Sequence, residues 1–80
     1  MLSAFYQKLE EDIKAANDLE RRGDFKAAAR AWIEIAEFCL KFARLVYASE
    51  EVRRNLVEKA EGYIEHAKML KLWPPLRGGR

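Results

Sequence analysis

His66 and Cys39 are the only histidine and cysteine among the 80 residues. They set the limit on what chemistry the chain can carry. A Ser-His-Asp or Cys-His relay needs a nucleophile, a base and an orienting group, and no Ser-His-Asp order stands out around His66. His66 sits beside Glu65, but one imidazole and one carboxylate do not make a metal site. The sequence has no His-Glu-x-x-His, no Cys-x-x-Cys and no phosphate-cradling glycine loop. Gly78-Gly79 lies in a tail with no strand before it and no helix after it. Carboxylates are plentiful, but pairs such as Glu34/Glu37 and Glu10/Glu11 fall on polar helix faces, where solvation explains them. Cys39 reads as a small core residue. The expectation is a protein that is not an enzyme and takes no cofactor.

The triplet Arg22-Gly23-Asp24 resembles an adhesion signal. Its place in the pattern gives a simpler reason for it, a helix stop followed by a helix start. Leu2, Phe5, Leu9, Ile13, Ala16 and Leu19 recur at three- and four-residue steps, which predicts one helix from about Ser3 to Arg22, with Ser3 as its N-cap. Gly23 ends it in a left-handed conformation, and Asp24 caps the next helix. That second helix carries Phe25, Ala28, Trp32, Ile35, Cys39, Phe42 and Val46, widened by Ile33, Ala36, Phe38, Leu40 and Leu45. A helix apolar over so much of its circumference should lie in the middle and touch both neighbours. Ser49 caps a third helix with Glu50 and Glu51 in its positive first turn and a stripe of Leu56, Ala60, Tyr63, Ala67 and Leu70. Short connections make consecutive helices antiparallel. The fold class is therefore all-α, an up-down-up three-helix bundle over residues 1–72. Residues 73–80, beginning Trp73-Pro74-Pro75, read as a tail or linker. Trp73 packs over the open end of the bundle in one reading. In another, Leu72 to Leu76 occupies a groove on a neighbouring copy.

Half the residues are hydrophobic and 35% are charged, which suits a folded helical domain with one small core. The net charge of +2 is unevenly placed. Lys71, Arg77 and Arg80 give the last ten residues +3, while residues 1–70 hold 12 basic and 13 acidic side chains. The helical part lacks the basic stripe that nucleic acid requires. No uncharged run approaches the roughly 18 residues of a membrane span, and the start lacks a signal-peptide pattern. A single cysteine excludes an internal disulfide and fits a reducing compartment, so a cytoplasmic location is expected.

Ala16, Glu20, Gly23-Asp24-Phe25, Ala27-Ala28 and Trp32, followed by Tyr63-Ile64-Glu65-His66-Ala67-Lys68-Met69-Leu70, occur in an order that resembles the MIT (microtubule-interacting and trafficking) domain. The resemblance spans about residues 3–72. The chain departs from the family pattern at Trp32, where a Tyr is usual, at His66 in place of Arg, at Lys68 in place of Glu, and at Gly62 inside the third helix. A tetratricopeptide helix pair shares the Gly-Asp-Phe corner, but the third helix does not repeat the first. The resemblance implies an adaptor that binds C-terminal peptides of ESCRT-III-like proteins and serves an associated machine such as an AAA ATPase, with one carried on the same polypeptide as a candidate. It implies a monomer as an isolated domain. The alternatives are a self-associating structural bundle and a tetratricopeptide-like adaptor.

Two grooves follow as candidate sites. Val57 and Ile64 lie one residue on from the core positions Leu56 and Tyr63, with Glu61, Glu65 and Lys68 nearby. Either they complete the core against helix two, or they floor a groove between helices two and three that takes an amphipathic peptide helix. In the family the position of Ile64 is central to that groove. A second groove, between helices one and three, would be lined by Ile13, Lys59 and Gly62. In the family it takes an extended, proline-containing motif. Gly62 is either tolerated drift or a place where a peptide backbone comes close.

Overall fold

The computed structural model describes residues 2–45 and 49–71. Three helices make up the fold: α1 over Leu2–Arg21, α2 over Phe25–Leu45 and α3 over Glu50–Lys71. No strand occurs among the described residues. The expectations for Val46, Trp73 and the tail lie outside them.

The corner between α1 and α2 forms as its residues dictate. Gly23 has φ 83°, a conformation that costs a residue with a Cβ but not glycine. Its N–H reaches the Glu20 carbonyl at 2.9 Å, and the Asp24 N–H reaches the Leu19 carbonyl at 2.9 Å. These two bonds make a Schellman stop. Asp24 then starts α2, its carboxylate accepting the Ala27 N–H at 3.3 Å. Ser49 does the same for α3, its hydroxyl accepting the Val52 N–H at 3.2 Å, with Glu50 and Glu51 in the first turn. Ser3 differs from expectation. The helix already includes Leu2, so Ser3 lies in the first turn. A one-residue difference at a helix end is within the ordinary spread of helix boundaries.

The core joins Phe5, Leu9 and Ala16 of α1, Ala28, Ala29, Trp32, Ile35, Ala36, Cys39 and Ala43 of α2, and Leu56, Ala60, Ala67 and Leu70 of α3. Helix α2 lies between the other two and packs on both, while no Cα of α1 comes within 8 Å of one in α3. Side-chain size separates the two interfaces. Ala29, Ala36 and Ala43 recur every seven residues along α2, and α3 presents Ala60 and Ala67. Methyl-sized contacts let those two backbones approach closely. Between α1 and α2 the contacts are aromatic. Phe5 stacks on Phe42 with ring centroids 3.9 Å apart and on Phe38 at 4.9 Å, which holds the backbones farther apart.

Candidate functional site: a groove along α2 and α3

The antiparallel register of α2 and α3 positions everything that follows. At one end Trp32 stacks on Tyr63 with centroids 5.4 Å apart and meets His66 edge-on at 5.1 Å. At the other end, Leu40, Ala43 and Arg44 share an open groove of about 640 Å³ with Glu50, Arg53, Arg54 and Val57. This register sets Leu40 level with Val57 and, seven residues back along α2 and seven on along α3, Ile33 level with Ile64. Val57 is 36% exposed, whereas Ile33, Leu40 and Ile64 are half-buried against the core. Ile64 packs on the core from the side, and Val57 turns to solvent. Glu61, Glu65 and Lys68 are exposed along α3 beyond Val57, and Lys68 reaches Glu65 at 3.6 Å.

The residues expected to line the second groove are arranged differently. Ile13 is half-buried against the core, and Lys59 and Gly62 are exposed. A Cβ at Gly62 would meet nothing within 4 Å. Lys59 lies close enough to Cys39 to draw its thiol down, but burial is the larger effect and the thiol is pushed above its ordinary value of 9.0. Burial and then Cys39 also raise the Tyr63 phenol.

The polar junction among the three helices was not expected. One Glu20 carboxylate oxygen accepts the Trp32 indole N–H at 2.6 Å and lies 2.7 Å from His66 Nε2. A carboxylate can only accept, so the imidazole nitrogen donates. Glu20 thus ties the end of α1 to both other helices. The arginines Arg44, Arg53 and Arg54, gathered at the mouth of the α2/α3 groove, were also missed. Both features depend on how the helices are rotated against one another. The residue types alone were the sequence signal.

Among the described residues, no three His, Cys, Asp or Glu side chains come together as a metal would need. No described helix is long and apolar enough to cross a membrane. Fold and site together define an all-helical three-helix bundle with a solvent-open, partly apolar groove along one helix pair. Comparison with known protein families, curated proteins and solved structures finds no significant match.

Proposed function

We propose that this chain is a non-catalytic, MIT-like adaptor domain. It takes a C-terminal peptide of an ESCRT-III-like protein into the α2/α3 groove and so brings that protein to an associated machine such as an AAA ATPase. The observation that carries the reading is the open groove itself. Leu40 and Val57 line about 640 Å³ of accessible space between α2 and α3, and the apolar line continues through Ile33 and Ile64. A peptide helix with apolar residues at one-heptad spacing matches that geometry. The α1/α3 side, with Ile13, Lys59 and Gly62, is the second place a peptide is sought. The resemblance gives it an extended, proline-containing ligand.

The test is titration of the ¹⁵N-labelled full chain with two peptides, an amphipathic leucine-containing helix and a short proline-containing strand. The adaptor reading predicts saturable amide shifts around Val57, Ile64 and Lys68 with the first, or around Ile13, Lys59 and Gly62 with the second. Absence of shifts at millimolar peptide, with line widths of an oligomer, rejects it in favour of a self-associating bundle.

A further inference from the structure

The rims of the α2/α3 groove carry an ordered charge pattern. On the exposed edge of α2, Arg30, Glu37 and Arg44 follow one another at seven-residue steps. On α3, Arg54, Glu61 and Lys68 do the same. The register that sets Leu40 opposite Val57 sets Arg44 level with Arg54, Glu37 with Glu61 and Arg30 with Lys68. From one end to the other these three levels read basic, acidic, basic, with Leu40/Val57 and Ile33/Ile64 between them; at the first end Arg53 adds to the basic charge and Glu50 offsets part of it. The two helices carry the same sign at each level.

None of Arg30, Glu37, Arg44, Arg54 and Glu61 has an ion-pair partner within 4 Å among the described residues. Lys68 holds only the exposed Glu65. An exposed pair of this kind is weak and easily exchanged. Like charges facing each other across a groove repel within a Debye length. A ligand with the opposite charge between them relieves that repulsion at every level.

Resting on the adaptor reading, we infer that the occupant is a peptide helix with an acidic–basic–acidic pattern. Its charged residues are spaced one heptad apart, and apolar residues alternate with them to meet Leu40/Val57 and Ile33/Ile64. Charge complementarity fixes this choice. A second copy laid in register on the same groove would bring basic levels onto basic and Glu37/Glu61 onto Glu37/Glu61, whichever way it runs. A peptide of the stated pattern meets an opposite charge at all three levels.

The test uses the full chain and three synthetic helices of about 18 residues, long enough to cover the two heptads. All share the same leucines. One carries Glu, Lys and Glu at heptad spacing, one Lys, Glu and Lys, and one Gln at all three positions. Affinities are read by calorimetry at low salt and again at about 0.5 M salt, where exposed charges are screened. The acid–base–acid peptide is expected to bind about ten-fold tighter than the Gln peptide and the reversed peptide about ten-fold weaker, with both differences collapsing at high salt. In the double variant Glu37→Lys/Glu61→Lys, both positions being exposed, preference at the central position should invert from Lys to Glu. Equal affinity for all three peptides overturns the charge inference and leaves the groove reading standing. Failure of all three to bind at millimolar concentration overturns both.

Discussion

Glu20→Ala tests the polar junction that joins the three helices. The substitution leaves two donors without their acceptor, the indole N–H of Trp32 and Nε2 of His66. A hydrogen bond to a charged acceptor contributes about 1.5–3 kcal/mol when its loss strands a buried group. Trp32 is 6% exposed, so water cannot readily replace Glu20 there, and about 1.5 kcal/mol is assigned to that bond. The His66 side chain is 45% exposed, which limits its share to about 0.5 kcal/mol. The expected loss is therefore about 2 kcal/mol, or roughly 10 °C in Tm for a chain of this size. Urea unfolding followed by circular dichroism at 222 nm measures it, with the exposed Glu10→Ala as the surface control. The cycle with Trp32→Phe separates mechanism from accident. Phenylalanine has no N–H to strand, so Glu20→Ala should cost about 1.5 kcal/mol less in that background. A cost below about 0.5 kcal/mol, or the same cost in both backgrounds, refutes the assignment.

Other substitutions probe single features. Gly23→Ala should lose about 1 kcal/mol, because a Cβ at φ 83° is strained even with open space around it; thermal melts decide this, and an unchanged Tm contradicts it. Gly62→Ala should gain up to about 1 kcal/mol, since the new methyl meets nothing within 4 Å and helix propensity rises. If a peptide backbone docks on the α1/α3 side, the same variant weakens its binding, and unchanged affinity removes that role for Gly62. For Cys39 the folded thiol titrates above its ordinary 9.0, so above that pH the unfolded chain binds fewer protons than the folded one and stability falls as pH rises. Cys39→Ala should lose this contribution, and the stability gap between wild type and variant should narrow from pH 8 to pH 10. A gap constant with pH would show that the thiol titrates alike in the folded and unfolded chains, and would overturn the shift.

The sequence showed most clearly where a residue acts on its own backbone. Gly23, Asp24 and Ser49 carry out the turn and capping roles their types suggest, because such contacts reach only three to five residues along the chain. The central place of α2 was readable too, from apolar residues covering more than one face. Ser3 was misread because a capping residue type one position inside a helix reads the same in sequence as one at its start. The Glu20–Trp32–His66 junction and the matched charge rims escaped notice for a different reason. Residues 20 and 66 meet only once α1 and α3 have been placed on α2. Likewise Arg44 faces Arg54 only once the antiparallel register is known. Helical periodicity gives the face of each residue but not the level at which it meets a neighbouring helix. Ile64 shows the same limit from the other side, since its spacing was equally compatible with core and groove, and in the structure it packs half-buried against the core.

The separation of α1 from α3 has a consequence for how the molecule opens. With no Cα of α1 within 8 Å of α3, α1 is anchored through α2 and, at its C-terminal end, through Glu20. The α2–α3 hairpin keeps its own alanine packing without α1, whereas α1 rests on α2 along most of its length. Breathing of α1 would uncover the Phe38 and Phe42 rings that Phe5 stacks upon. Amide protons of α1 should then exchange with solvent ahead of those in α2 and α3, as one cooperative unit. On that picture the α2/α3 groove lies on the part of the molecule that would stay shut, and a ligand there would bind a surface already formed. A ligand between α1 and α3 would have to stop that breathing as it binds, and would stabilise the whole fold more for the same number of contacts.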